Sequence, residues 1–402
     1  MFLSLAYSSR FISLILLFFF PPLLHAYGYA QSLGVAYIIC SLLCLLFFCF
    51  EKIKISKVFI IFFSIACLYT FLSPHSLFLG EFYKQILSII GILICGTCIS
   101  MLFKRMDIFL LLARNIFYLL SIIGVLGVFK VEISSVYTEF NRGVFPFLEP
   151  SHFALIYIPF ALIFILNTSE KLLKLILFFL FLMAFSFPNL TLLVGTILIS
   201  MVVLRIRFIF LMLLAILLGA FIIDNNEYFQ YFYERVDVSN DGSENLSMLV
   251  YLQGWEKIKL SLIHSNFIGL GFQNLGSEPF GNYYYLIKQR GVEGLNWYDG
   301  SFLASKIIGE FGFLGAFLVF FLLCVSLSSG IILRKNFLKW KIFSTEDQVC
   351  LVFVYILIIE LLVRGVGYFS PIFFTALYFL PRVIDMLYLL INRNFAINYF
   401  LK

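Results

Sequence analysis

The chain has 402 residues, of which 62% are hydrophobic and only 12% charged. A soluble domain carries about 45–50% apolar and about 25% charged residues, so this chain lacks the polar surface to be one. Its 52 Phe and 22 Tyr exclude a disordered chain, and its net charge of +6 is scattered over short turns, the footprint of membrane orientation rather than of nucleic-acid binding.

Apolar runs separated by polar breaks predict an all-α polytopic integral membrane protein with about twelve transmembrane helices. They form a single membrane domain over residues 1–402, with spans near 8–25, 32–50, 58–73, 83–103, 108–129, 152–167, 172–189, 190–204, 208–223, 301–331, 348–363 and 370–391. Lys52, Lys54 and Lys57, Lys104 and Arg105, Lys171 and Lys174, Arg205 and Arg207, and Arg334, Lys335, Lys339 and Lys341 fall in one alternate set of loops. Positive loops stay in the cytoplasm, so both termini are predicted there. In the last span Arg382 and Asp385 are three apart and are expected to pair. All eight cysteines lie inside apolar runs, which argues against a disulfide framework and a Cys-based zinc site.

Two large loops face the other side. The first covers about 130–151. The main one, about 224–300, holds ten acidic and five basic residues with Trp255 and Trp297. Part of it reads as an amphipathic helix, with Met248, Tyr251, Leu252, Trp255, Ile258, Leu262 and Ile263 at a 3.6-residue period. That helix is expected on the membrane surface or over the bundle.

Ionisable groups near spans are costly and therefore informative. Around Arg142 and the stretch Glu149-Pro150-Ser151-His152, Pro150 suits the first helical position, with Glu149 at the cap and His152 in the first turn. The positive helix end and the guanidinium favour an anion, and Glu149 and His152 are titratable groups placed for general-base work. A second stretch runs from Asn296 to Gly315. Asp299 is expected as an N-cap, Lys306 and Glu310 as an ion pair, and Gly309, Gly312 and Gly315 as a smooth helix-packing face. In the third, Glu360 and Arg364 are four apart on one helical face, and Ser370-Pro371 starts a capped helix. Packing and structural ion pairs compete with function at all three.

Gly269 through Gly276 reads as a flexible turn, and His25, His75 and His264 as isolated interfacial residues. No spacing implies a metal. Together Arg142, Arg290, Arg364 and Arg235, three helix starts and few free acids suggest an outward pocket suited to a pyrophosphate. Trp255, Trp297 and Tyr283-Tyr284-Tyr285 are placed to stack on sugar rings or to form an interfacial belt.

Arg142-Gly143 with Glu149 through Ala154, Ser247 through Glu256, Ile268 through Gly276, Asn296 through Gly315 and Val363 through Phe369 occur in that order. This set resembles the bacterial O-antigen polymerases of the Wzy type, within the wider group that includes O-antigen ligases. The likeness covers about residues 130–380. It implies a metal-independent, cofactor-free glycosyltransferase of the bacterial inner membrane, with the two large loops in the periplasm. There, oligosaccharide repeat units on undecaprenyl pyrophosphate are joined; the partners it implies are these lipid-linked glycans, membrane lipids and a chain-length-determinant protein. By the resemblance, Arg142, Arg290 and Arg364, with Arg235, bind pyrophosphate. Glu149 is the first choice of base and His152 and Asp299 its competitors. Gln253, Trp255, Trp297 and Tyr298 meet sugar, while Lys306, Glu310 and Glu360 form structural ion pairs. Ligases tend to have His or Asn where this chain has Tyr298-Asp299, which favours polymerase. A ligase, a polymerase of another surface glycan, and a flippase for lipid-linked glycans are the alternatives; a flippase should show repeated halves and interrupted helices.

Overall fold

The computed structural model describes residues 2–49, 51–72, 79–131, 144–186, 189–210, 245–292, 294–340 and 342–400. Among these the regular structure is helical, with no β-strand. In chain order the helices are α1 (Phe2–Phe18), α2 (Phe20–Ala26), α3 (Leu33–Phe47), α4 (Lys57–Leu72), α5 (Leu79–Leu102), α6 (Met106–Val128), α7 (Pro150–Leu166), α8 (Glu170–Ser186), α9 (Leu190–Val203), α10 (Leu246–His264), α11 (Asn282–Gln289), α12 (Leu303–Lys335), α13 (Thr345–Leu362) and α14 (Pro371–Phe400). Apart from the ninth predicted span, most of which lies outside the described residues, a helix occupies each predicted position.

Four stretches are long and apolar enough to cross a membrane: Phe82–Leu102, Met106–Val128, Leu303–Leu338 and Pro371–Leu390. A fifth arises if Tyr7–Phe18 and Phe20–Ala26, bent by 44°, act as one span. Helices such as α3, α4, α7 and α9 are shorter than the ~20 residues that a ~30 Å hydrocarbon core asks for. The chain is thus a helical protein with several membrane-competent helices.

The core centres on α7 and α13. Both are apolar on all sides, and α7 buries residues all round its circumference, from Phe153 and Ala154 to Ile163 and Ile165, as a helix fully enclosed by neighbours does. α13 packs against α6, α7, α9, α12 and α14. Outward, Phe313, Phe317 and Phe320 of α12 stand 64–67% exposed along one stripe, a surface that fits lipid rather than water.

The expected continuity of α12 fails at one residue. Gly312 has φ 58° and ψ −133°, so the helix is broken there. The glycine face is interrupted with it: Gly309 does permit close contact with α10, where a Cβ would lie 3.2 Å from Ser261 Oγ, but a Cβ on Gly312 would sit 2.2 Å from Phe267 O. The break frees backbone groups, and the segment after α10 takes them. Leu270 N donates to Gly309 O (3.0 Å), Gly271 N to Glu310 O (2.9 Å), and Phe313 N to Phe267 O (3.0 Å). The stretch from Gly269 to Gly276 is therefore a docked strap, not a flexible turn. Its glycines are required by contact: a Cβ on Gly269 (φ +102°) would lie 2.4 Å from Glu310 O.

α10 is present where expected and packs on α12. Its inward face mixes polar and apolar residues: Met248, Gln253, Gly254, Lys257 and Ser261 are buried and Tyr251 and Ile258 pack against the core, while Trp255 and Ile263 are 45% and 60% exposed. Two serines at the start of α12 hold its backbone: Ser301 Oγ donates to Val250 O (2.5 Å) and Ser305 Oγ to Gly254 O (2.9 Å). Trp255 and Ile263 are left for the surroundings, as suits a helix at a membrane surface.

Candidate functional site

The three charged stretches, far apart in sequence, meet at one end of the helices. α7 starts at Pro150 with Glu149 in the cap position, as expected. The Glu149 side chain does not cap the helix, however. Oε2 accepts from Ser151 Oγ (2.9 Å) and from Arg364 Nη2 (2.6 Å), and His152 Nε2 stands 4.0 Å away. Asn189 fixes this helix start from α9, donating from Nδ2 to Pro150 O (2.7 Å). Burial alone would raise the Glu149 carboxyl, but Arg364 foremost, with His152 and Ser151, overrides it and holds it at about 2.

Arg364 reaches Glu149 because α13 ends at Leu362. Arg364 N still donates to Ile359 O (3.0 Å), and the chain then turns away, with Gly365 N donating to Ser301 O (3.1 Å). The expected Glu360–Arg364 pair is therefore absent, since the two residues do not share a helix. Among the described residues Glu360 has no ion-pair partner: its Oε1 accepts from Ser370 Oγ (2.5 Å). Ser370 does cap α14, accepting from Phe373 N (3.1 Å).

Asp299 does not cap α12, whose cap position is Phe302. Positive φ at Asn296, Gly300 and Ser301 folds the chain into a tight turn instead, which presents Asp299 Oδ1 and Tyr298 O to Lys306 Nζ at 3.2 and 2.8 Å. Lys306 and Glu310 approach as expected, at 4.0 Å. The strap receives Glu310 with two amides, from Gln273 N (2.9 Å) and Leu275 N (3.4 Å). Gly367 joins this cluster to the first. A Cβ there would be 3.1 Å from Asp299 Oδ1 and 3.8 Å from Lys306 Nζ. The 363–370 segment thus carries Glu149, His152 and Arg364 on one side and Asp299 and Lys306 on the other.

Arg142 and Arg235 lie outside the described residues. Arg290 stands exposed at the end of α11. At the cluster itself, Arg364 and Lys306 are both met by carboxylates, so the pocket is not the acid-poor basin that the sequence suggested. An incoming anion has to take Arg364 from Glu149.

The sugar-facing candidates divide. Trp297 is 3% exposed, with Nε1 donating to Gly276 O (3.0 Å) and the Lys257 ammonium 3.5 Å from its ring centroid. That ring is covered and plays a structural part. Tyr284 is also buried, against Phe280 and Trp297. Trp255, Tyr285 and Tyr298 are open, at 45%, 53% and 58%. Gln253 is buried, and neither end of its amide has a partner among the described residues.

Several contributors were not singled out in the sequence. Lys257 and Glu278 pair at 2.7 Å, both buried; burial lowers the Lys257 ammonium to about 8 despite Glu278. Gln85 donates to Asn274 Oδ1 (2.5 Å), and Glu256 accepts from Asn282 N (2.8 Å) and Tyr283 N (3.0 Å) at the start of α11. These contacts lock the strap and α11 to the bundle. In the sequence only the i, i+4 spacing of Gln253, Lys257 and Ser261 in α10 could have pointed to Lys257. Comparison with family models, characterised proteins and solved structures gives no match.

Proposed function

We infer that this chain is a membrane glycosyltransferase that polymerises polyprenyl-pyrophosphate-linked oligosaccharide repeat units into a surface polysaccharide of the O-antigen kind. The reading includes about twelve spans, cytoplasmic termini, a bacterial inner-membrane location and periplasmic loops at 130–151 and 224–300, as hydropathy and charge placement suggest. The observation that carries it is the Arg364–Glu149 pair (2.6 Å), which joins the first and last of the five stretches that form the resemblance.

In this reading an acceptor hydroxyl attacks the donor's anomeric carbon, the bond to the lipid pyrophosphate breaks, and the leaving anion's charge falls on Arg364, with Arg142 and Arg290. While paired, Glu149 is a poor base. A pyrophosphate that engages Arg364 removes the influence that depresses the carboxyl, so Glu149 recovers ordinary basicity when donor is bound. His152 and Asp299 are the competing bases, and Trp255 and Tyr298 the open aromatic surfaces for sugar.

The broken helix at Gly312 and the bent α1–α2 pair favour a second reading, a flippase for the same lipid-linked glycans. Against it, the groups freed at Gly312 are taken by the strap rather than left facing a pathway. Purified protein in vesicles with lipid-linked repeat units decides between them. Longer lipid-linked glycans support the polymerase; substrate that changes leaflet without growing supports the flippase. Arg142→Ala is expected to abolish the ladder at normal protein level, and a ladder of unchanged length removes Arg142 from the site.

A further inference from the structure

Behind the Glu149–Arg364 pair lies a cavity of about 50 Å³ with largely apolar walls, among them Leu17, Pro22, Leu155 and Phe369. Three of its lining residues bring polar atoms that have no partner among the described residues: His152 Nδ1, Glu360 Oε2 and the Tyr37 hydroxyl. Glu360 and Tyr37 are each 1% exposed, so bulk water does not serve them. Glu360 spends its other oxygen on Ser370 (2.5 Å), and His152 turns its other nitrogen towards Glu149 (4.0 Å). A water needs roughly 10–15 Å³ of such space and two to four polar partners. The cavity has the volume for a few waters, and His152, Glu360 and Tyr37 are on its lining as polar partners for one.

We propose that this cavity is a hydrated proton-exchange site, in which water joins Glu360 to His152 and the Tyr37 hydroxyl orients that water. In one state the proton is on Glu360 Oε2 and the imidazole is neutral, protonated at Nε2. In the other, Glu360 is a carboxylate and His152 an imidazolium. Water takes one proton from the carboxyl and gives one to Nδ1; only O–H and N–H bonds break and form, and no electrons are transferred. The imidazolium then stands beside Glu149, placing positive charge at the site where the reading above puts the departing pyrophosphate, and the proton returns to Glu360 once that anion leaves. The geometry of the exchange stands on the cavity; its purpose rests on the glycosyl-transfer reading. The charged groups whose fields reach His152 are Glu149, Arg364, His25 and Asp299, and His152 and Tyr37 line the same cavity as Glu360.

The test is an infrared pH titration of the full chain in lipid nanodiscs, run on wild type, Glu360→Gln, His152→Gln and Tyr37→Phe. A carboxylic-acid band lost in Glu360→Gln identifies Glu360, and its midpoint is expected to move by about one pH unit or more in His152→Gln, as linked groups do. Tyr37→Phe, which removes only a hydroxyl, should give a smaller move and guards against misfolding as the cause. No Glu360 band at any pH, or a midpoint indifferent to His152→Gln, overturns the exchange site. In the vesicle assay Glu360→Gln should lower turnover by about 100-fold with KM unchanged. A wild type that never extends glycan while the two groups titrate together sinks the glycosyl-transfer reading alone. An active wild type in which they titrate independently sinks the exchange site alone.

Discussion

The two ends of the helix bundle handle charge differently. At the end where α13 begins, Ser344 and Asp347 form a reciprocal cap, and Arg382 Nη2 meets Asp347 (2.8 Å) and Glu346 (3.4 Å) at an exposed surface. Arg10 and Lys104 similarly meet Glu51 (2.9 and 3.4 Å). These pairs close a helix end and ask nothing more of the fold. At the end where α13 stops, charges come from segments hundreds of residues apart, and the buried atoms of His152, Glu360 and Arg364 keep unfilled hydrogen-bonding capacity. The contrast teaches that one end is closed by pairs within about forty residues of chain, while the other gathers its charges from distant segments.

The sharpest way to break that contrast is to ask whether the Glu149 end tolerates loss of one buried charge. Lys257→Met leaves the Glu278 carboxylate buried without its cation, and the loss should reach about 3–5 kcal/mol. Thermal unfolding of the purified protein reads it. A variant as stable as wild type would show that the strap and α11 are not held by this pair. Arg364→Gln comes next, at the site itself. Turnover in the vesicle assay should fall by about 10²–10³-fold, as when one donor to a developing anion is removed. Activity within a few-fold of wild type would put the leaving group elsewhere.

Much of the fold was legible because hydropathy has a length scale: a run of apolar residues announces a helix wherever the chain goes. The starts at Pro150 and Pro371 were legible for a similar reason, since proline marks the first helical turn. Partners were not. Arg364 bonds to a residue 215 positions away, and the spacing Glu360–Arg364 suggested a closer match only if α13 continued. Gly365 and Gly367 were the available sign that it stops. The buried Lys257 of α10 was not legible because its partners, Trp297 O and Glu278, lie in other segments. The Gly312 break was hidden because its compensation, the 267–271 strap, lies in another segment.

That break offers a third test, of smaller size. At Gly312 a side chain meets both a left-handed φ of 58° and a contact of 2.2 Å with Phe267 O. Gly312→Ala should lower stability by about 1–3 kcal/mol and loosen Phe267 and Ile268, detectable as faster proteolysis after α10. If the strap stays protected, α12 can straighten without it.

A pH experiment sharpens the comparison further. Because Glu149 is held at about 2, below the ordinary carboxylate range, its stabilising effect is complete above that range and is lost as pH falls through about 2. With the side chain 45% exposed, the effect is modest. Unfolding temperature measured from neutral to acid pH should therefore fall less steeply in Arg364→Gln than in wild type, within the window below the ordinary range. Parallel curves would mean that the two groups are not paired in solution.

The smallest effect is expected at the opposite end. Arg382→Gln removes a guanidinium that is 43% exposed and sits between two partly exposed carboxylates. Such pairs contribute about 0–1 kcal/mol. The reciprocal Ser344–Asp347 cap persists without Arg382, so the start of α13 keeps its own fixation. Unfolding temperature should barely move, and the vesicle assay should give a ladder of wild-type length and rate. If Arg382→Gln instead matches Arg364→Gln in lost turnover, the division of labour between the ends is wrong, and the charges where α13 begins belong to the working site.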